Sequence, residues 1–209
     1  MANMARVKVK LDLKKLKQKV IKPTKKFERE ARRRAKRIFK KQKEILLEEF
    51  RSHPITKELQ AGPYGGNSSG TLGGIGNLFS FIGFDAGADP TAVVEEGLRN
   101  FITLDHSGSP KGRGRSLRYE FRVKGLSLEE FEKFTPMPWE GGRSWLRGIE
   151  RGISGFGEYM YGRKYANNSR SGSGVQSRRT VRGGGFRNVP YMSQIFNNFK
   201  KNLSKTSKK

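Results

Sequence analysis

The sequence predicts an α+β fold in which a long N-terminal helix packs on a small antiparallel sheet, with further helices and extended basic terminal arms. Apolar residues spaced three or four apart from Phe27 to Phe50 predict the long helix. Apolar and charged residues alternate over residues 117–124, which predicts a strand with one buried face. The chain has 44 Lys and Arg against 19 acidic residues, and the excess at its two ends predicts the basic arms.

The composition predicts one compact domain with loose ends. Of the 209 residues, 33% are hydrophobic, too few for a core that spans the whole chain. We divide the chain into a basic N-terminal arm (residues 1–24), an α+β core (residues 25–160) and a Gly/Ser-rich basic extension with a C-terminal helix (residues 161–209). The absence of cysteine excludes disulfides, thiolate metal sites and cysteine nucleophiles. The N-terminal residues are charged at short intervals, so we expect neither a signal peptide nor a membrane span.

The net charge of +25 is unevenly distributed. Residues 1–51 carry 20 Lys and Arg against 6 acids, residues 52–142 carry 9 against 11, and residues 143–209 carry 15 against 2. A nearly neutral middle between two basic ends predicts a folded core with cationic surfaces. Such a molecule repels itself when isolated, which favours a polyanionic partner.

The long helix has clear signals at both ends. Residues 6–22 begin with alternating apolar and charged residues and are either a short strand or an arm that orders on contact. Thr24 is suited to be the N-cap, and the helix should end before His53-Pro54. Its apolar stripe consists of Phe27, Ala31, Ala35, Ile38, Ile45 and Phe50, with an interruption at Gln42. The helix cations away from this stripe are Arg29, Arg32, Arg33, Arg37, Lys40 and Lys43.

A glycine-rich segment precedes a dense aromatic one. Residues 61–77 contain seven glycines and form either an ordered, turn-rich loop or a mobile one. Residues 78–84 (LFSFIGF) predict a strand that is apolar on both faces and is buried inside the domain or under a neighbouring subunit. Asp89-Pro90 begins a short helix that continues through Leu98.

The clearest pair of strands covers residues 101–104 and 117–123. The connection between them, residues 106–116, is longer and richer in glycine and positive charge than a tight turn requires. Ser127 and Glu130 have the spacing of a capping box and begin a short helix that ends at Pro136.

Two helices and a strand are predicted further along the chain. The first helix carries its apolar residues at Trp145, Ile149, Ile153, Phe156 and Met160, although its four glycines lower its intrinsic stability. A strand is expected near residues 175–181. Pro190 opens a final helix with an apolar stripe from Tyr191 to Leu203.

Residue types that carry catalysis are few and scattered. His53 lies before proline at a helix end, where we expect a capping or other polar role. His106 follows Asp105, but adjacent residues of a strand point to opposite faces, which argues against a general base. The glycine-rich segment lacks the Gly-Lys-Ser/Thr ending of a phosphate-binding loop. We therefore expect no catalytic, cofactor or metal site, and a protein that is not an enzyme.

The cations favour contact with nucleic acid. Lys and Arg bind phosphates without sequence preference and release counterions, and no aromatic residues interleave with them as in single-strand binding surfaces. We expect backbone contact rather than recognition of bases. The residues expected to face nucleic acid are Arg32, Arg33, Arg37, Lys111, Arg113, Arg115, Arg178, Arg179 and Arg182.

The order of elements over residues 25–160 resembles the neck or tail-completion proteins of tailed bacteriophages. The resemblance rests on a long basic helix followed by HPITKELQAGPYGGNSSGTLGG, an aromatic strand, the hairpin from FITL to LRYEFRV, the turn PMPW and the helix RSWLRGIERGI. Two further segments, NSSGTLGGIGNLFSFIGF and SGSGVQSRRTVRGGGF, look like segments of phage virion proteins. The resemblance implies a small α+β subunit that forms a ring between portal and tail, with the inter-strand loop and termini reaching neighbouring subunits or the DNA channel. The long cationic N-terminus and the Gly/Ser-rich last third depart from that pattern.

This resemblance implies definite partners and locations. We expect a homo-oligomeric ring that contacts other neck, portal and tail proteins and packaged DNA, located in the virion and, during assembly, in the host cytoplasm. The side chains expected at the subunit interface are Phe79, Phe81, Trp139, Trp145 and Phe196.

Two other functions are consistent with the composition. A basic nucleic-acid-binding structural protein of ribosomal or nucleoid type is the main alternative, because basic tails penetrate folded RNA. The aromatic segment at residues 78–84 has no evident use in such a protein. A nuclease that uses Asp105 and His106 is the third hypothesis.

Overall fold

A computed structural model describes residues 2–12, 24–72, 77–106, 110–111, 116–138, 142–151, 159–161, 175–177, 187 and 189–206. It confirms the α+β class. The helices are α1 (Lys25–Ser52), α2 (Pro54–Gln60), α3 (Leu78–Ile82), α4 (Ala92–Phe101), α5 (Leu128–Glu132), α6 (Trp145–Arg151) and α7 (Met192–Thr206). The strands are β1 (Ala2–Asp12), β2 (Thr103–His106), β3 (Ser116–Gly125), β4 (Tyr159–Tyr161) and β5 (Val175–Ser177).

The chain divides into two compact units. The first comprises Met1–Leu47, Leu98–Ser127 and Phe196–Lys209, and the second comprises Glu48–Gly97 and Leu128–Ile195. Both units are therefore assembled from segments that are distant in sequence.

The first unit contains a three-stranded antiparallel sheet in the order β1-β3-β2. This confirms the predicted hairpin, although Phe101 ends α4 and β2 starts at Thr103. Of the two alternatives for the N-terminal residues, the strand is the one found, over Ala2–Asp12. The buried inner face of the sheet is formed by Val7, Val9, Leu11, Leu117, Tyr119, Phe121 and Val123. Apolar alternation in β1 and β3 thus matches across the pair, which disfavours a shift of the register by one residue.

Helix α1 begins and ends as predicted, with Thr24 as N-cap: its Oγ1 accepts a hydrogen bond from the backbone N–H of Phe27 at 3.4 Å. The predicted apolar stripe is wrong at one position, because Ile45 is 40% exposed whereas Leu46 is buried. Gln42 does not interrupt the stripe but is buried in it, and its Nε2 donates to Thr206 Oγ1 at 3.4 Å. The amide nitrogen of this buried side chain thus has a partner, whereas its Oε1 is buried with no hydrogen-bond partner among the described residues.

In the second unit, two buried polar side chains order the glycine-rich segment. The Glu58 carboxylate accepts hydrogen bonds from the backbone N–H groups of Ser69 and Leu78, at 2.7 and 2.6 Å. The side-chain amide of Asn77 donates to the carbonyl oxygens of Gly62, Pro63 and Gly65. Residues 61–72 are therefore an ordered, turn-rich loop, while residues 73–76 lie outside the described residues.

The strand predicted over residues 78–84 is wrong, because Leu78–Ile82 form helix α3. Asn77 caps this helix, its side-chain oxygen accepting from the N–H of Ser80 at 2.8 Å. Gly83 ends it in the left-handed conformation, with φ of +86°. The caps stabilise a single helical turn in a segment whose aromatic residues favour a strand.

The helix predicted from Trp145 through Met160 is also wrong in its last part. Helix α6 is described as far as Arg151, Ile153 and Phe156 lie outside the described residues, and Met160 belongs to β4, which pairs with β5. The strand predicted near residues 175–181 is confirmed over Val175–Ser177, and the remainder of it lies outside the described residues. The short helix after Ser127 and the final helix after Pro190 are confirmed.

His53 is the N-cap of α2, as its position before Pro54 predicts. Its Nδ1 accepts a hydrogen bond from the N–H of Ile55 at 3.3 Å, and its ring lies 4.7 Å from that of Tyr191. Burial lowers the pKa of His53, and the negative charge of Glu150 opposes this effect. The neutral imidazole is therefore the form that the fold favours.

This cap makes stability dependent on pH. A His whose pKa is lower when folded binds fewer protons in the folded state, so stability rises with pH. The stability that the neutral His53 cap contributes is complete above the pKa of an unfolded His, about 6.5, and is lost as pH falls through the lower pKa of the folded state. In urea unfolding, we expect the wild type to lose more stability between pH 7.5 and pH 5 than His53→Asn, which retains a capping oxygen that does not titrate. Equal losses in the two proteins would contradict this role.

Candidate nucleic-acid interface

A broad cationic surface runs along α1. We call it the α1 basic face, and it consists of the exposed residues Arg32, Arg33, Lys36, Arg37, Lys40 and Lys41. At 3.6 residues per turn these positions cover about half of the helix circumference and about 14 Å of its length. They lie opposite the buried residues Ala31, Ala35 and Gln42. The amphipathic pattern that buries one side of the helix thus directs the cations to solvent.

The α1 basic face is not neutralised by neighbouring acids. The sequence has no acidic residue between Glu30 and Glu44. Arg34, next to the face, pairs with Glu30 one turn earlier, with 3.2 Å between Nε and Oε1. Among the described residues, none of the six members of the face has an ion pair. Their charge is therefore available to a phosphate ligand.

Lys43 differs from the other helix cations that the apolar pattern places away from the stripe, because its ammonium group has partners within the chain. Its Nζ donates hydrogen bonds to the carbonyl oxygens of Arg99, at 2.5 Å, and Ile102, at 2.9 Å, where α4 ends. Partial burial lowers the pKa of Lys43, and the charge of Arg99 adds a smaller effect in the same direction. Lys43 satisfies carbonyls at a helix C-terminus and is not part of the α1 basic face.

Of the other cations expected to face nucleic acid, Lys111 is the one that lies within the described residues. Lys111 is exposed and forms a two-hydrogen-bond bridge with Arg118 of β3, at 2.9 and 2.7 Å. The remaining ones lie outside the described residues: Arg113, Arg115, Arg178, Arg179 and Arg182.

A second group of exposed cations, not expected from the sequence as a site, lies on the sheet. Arg6, Lys8 and Lys10 of β1 and Arg118 and Arg122 of β3 are exposed and alternate with buried apolar residues. The alternation of apolar and charged residues within each strand predicts that these side chains point away from the core. Only the pairing register, which sequence alone does not specify, shows that they lie side by side.

Three of the aromatic residues expected at a subunit interface lie in the interior of the chain. Phe79, Trp145 and Phe196 are buried, and Phe81 is partly exposed, while Trp139 lies outside the described residues. Trp145 packs edge-to-face on Phe84, with ring centroids 6.0 Å apart. Packing within the chain accounts for these three side chains without a neighbouring subunit.

Asp105 and His106 do not converge on a common point. Asp105 forms an ion pair with Lys124, with 2.5 Å between the charged atoms. The ring of His106 lies 5.2 Å from that of Phe121, and its Nδ1 is 4.0 Å from the Glu28 carboxylate. The two side chains therefore make contacts on opposite faces of the sheet.

Within the described residues, no group of three or more His, Asp or Glu side chains is arranged to hold a metal ion. None of the described helices is both long and apolar enough to span a membrane. Comparisons with protein-family models, with curated proteins and with solved structures gave no match. A function therefore has to be proposed from the chain's own residues.

Proposed function

We propose that this chain is a structural protein, not an enzyme, that binds the phosphate backbone of nucleic acid through the α1 basic face. The observation that carries the proposal is that six exposed cations cover about half of the circumference of α1. Residues 31–43, which include all six, contain no acid. Each phosphate that a Lys or Arg neutralises releases counterions, so this surface binds without regard to sequence and weakens with salt. Three of the six are arginines, which bind phosphate oxygens in a bidentate manner.

The biological setting that we propose is the neck of a tailed phage. There the chain would be one subunit of a ring that joins portal or connector to tail around the DNA channel. The resemblance over residues 25–160 and the α+β fold with its long N-terminal helix support this setting. The aromatic segment at residues 78–84 no longer separates it from the ribosomal or nucleoid alternative, since Phe79 is part of the chain's own core.

The α1 basic face can be tested with Arg32→Gln/Arg33→Gln/Arg37→Gln. We expect the Kd for a 30-bp duplex of random sequence to rise more than about tenfold at ~100 mM salt, and the slope of log K against log salt to fall by about three, one per lost phosphate contact. Fluorescence anisotropy over a range of salt concentrations measures both.

The matched control is Lys57→Gln/Lys133→Gln/Arg151→Gln, which removes the same charge from exposed positions of the second unit. It should retain nearly the wild-type slope. If both triple variants lose affinity equally, net charge alone governs binding and the α1 basic face has no special role.

Light scattering of the same preparations separates the neck setting from the alternative. A homo-oligomer whose mass is unchanged after nuclease treatment supports the ring. A particle that falls to the mass of a single chain when nucleic acid is digested supports a ribosomal or nucleoid type of protein, and contradicts the ring.

A further inference from the structure

The outer face of the three-stranded sheet is as polar as its inner face is apolar. It carries Arg6, Lys8, Lys10, Thr103, Asp105, Arg118, Glu120, Arg122 and Lys124, and the bridge to β3 adds Lys111. No apolar side chain belongs to this group. We call it the outer sheet face.

Like charges lie directly opposite each other on this face. Lys10 pairs with Arg118 across β1 and β3, and Arg118 is bridged on its other side by Lys111. Directly opposite side chains of an antiparallel pair lie on the same face with Cβ atoms about 5 Å apart. Three cations therefore form a row across the sheet. A row of like charges opposes folding, because cations directly opposite each other repel. No ion pair within the fold of the described residues offsets this repulsion.

A second row, four residues along the strands, contains one pair of opposed cations and one acid. Arg6 lies opposite Arg122, and Asp105 lies opposite Arg122 on its other side. Asp105 makes its ion pair with Lys124 rather than with Arg122. Between the two rows, Lys8 lies opposite Glu120. Among the side chains that the structure describes, Arg6, Lys10, Lys111, Arg118 and Arg122 have no ion pair with an acid.

We propose that the outer sheet face is a second binding surface for the nucleic-acid phosphate backbone, distinct from the α1 basic face. This inference rests on the proposed function and extends it to a different element of the first unit. A bound polyanion places negative charge between the opposed cations and removes the repulsion that the two rows create. Arg6, Arg118 and Arg122 provide planar groups that match phosphate oxygens.

The composition of the face favours nucleic acid over other anionic partners. Surfaces that bind anionic membranes combine cations with apolar side chains that enter the lipid, and none of the latter is present here. Protein interfaces depend on buried aromatic or apolar anchors, which this face also lacks. The absence of aromatic side chains further favours contact with phosphates over stacking on bases.

The test is the double variant Lys10→Gln/Arg118→Gln, measured with the 30-bp duplex beside the wild type. We expect the Kd to rise about fivefold or more and the salt slope to fall by about two. The melting temperature should stay the same or rise, because the change removes a repulsive pair. The swapped variant Lys10→Arg/Arg118→Lys keeps both charges and should bind as the wild type does.

The control is Lys57→Gln/Lys133→Gln, which removes two charges elsewhere. Unchanged binding by Lys10→Gln/Arg118→Gln, or an equal loss in the control, overturns this inference. If at the same time Arg32→Gln/Arg33→Gln/Arg37→Gln still weakens binding, the proposed function stands without it. A wild type that does not bind the duplex overturns both. Binding to vesicles of anionic phospholipid, lost in the double variant while DNA binding is kept, assigns the face to a membrane and also overturns the inference.

Discussion

Replacing Glu58 with alanine is expected to destabilise the protein by about 3–5 kcal/mol, because two hydrogen bonds to a buried charge are lost and two buried N–H groups lose their acceptor. The Glu58 side chain is only 1% exposed, and each of its carboxylate oxygens accepts from a different backbone N–H. One donor, Ser69, lies in the glycine-rich loop, and the other, Leu78, is the first residue of α3. The N–H groups of a helix's first turn have no partner within the helix, so water would have to enter to replace the carboxylate.

Urea unfolding of Glu58→Ala, Glu58→Gln and Lys57→Ala measures this effect. Gln has one acceptor oxygen and an amide nitrogen that would face an N–H, so Glu58→Gln should lose an intermediate amount. Lys57 is the exposed neighbour on the same helix, and Lys57→Ala should change stability by less than about 0.5 kcal/mol. If Glu58→Ala and Lys57→Ala unfold at the same urea concentration, the carboxylate does not organise the loop.

Trp145→Ala is expected to cost about 3–5 kcal/mol at every protein concentration. The side chain is 2% exposed and packs on Phe84, and the backbone N–H of Trp145 donates to the carbonyl of Thr135 at 2.9 Å. Removing the indole would leave a cavity in the second unit. If Trp145 acted only between subunits, the decrease in melting temperature caused by Trp145→Ala would instead depend on the protein concentration.

Thermal melting of Trp145→Ala over a hundredfold range of protein concentration tests this account. Arg151→Ala, an exposed change at the other end of α6, is the control and should melt close to the wild type. A Trp145→Ala protein that melts normally but has a smaller mass in light scattering would place the indole at a subunit interface instead.

Elements with a sustained local period could be predicted from the sequence. Helix α1 and strand β3 repeat their patterns over many residues, and burial on one face follows directly. The pattern did not decide between Ile45 and Leu46, because adjacent positions both lie near the edge of a broad apolar stripe. Burial of Gln42 depends on Thr206, which is 164 residues away.

Helix α3 could not be predicted from its aromatic residues, which favour a strand. The relevant signals lie at its ends, where Asn77 accepts a hydrogen bond as N-cap and Gly83 adopts a positive φ. In a helix of one turn these two positions outweigh the intrinsic preferences of the residues between them.

The candidate site also has a part that the sequence predicts and a part that it does not. Exposure of the α1 basic face follows from helical period alone. The role of Lys43 does not, because its acceptors are carbonyls 56 and 59 residues later in the chain. The rows of cations on the sheet likewise depend on the pairing of β1 with β3, which is not encoded locally.

The pairing of β1 with β3 also sets the order of events during synthesis. Residues 2–12 are made long before Ser116–Gly125, and at about 5–20 residues per second the wait is on the order of ten seconds. During that time Val7, Val9 and Leu11 have no partner strand. Lys8 and Lys10 between them, and Arg6 directly before Val7, are charged residues of the kind that opposes aggregation of a nascent chain. Non-local pairing of this kind slows folding, because β1 cannot take its place in the sheet before β3 has been made.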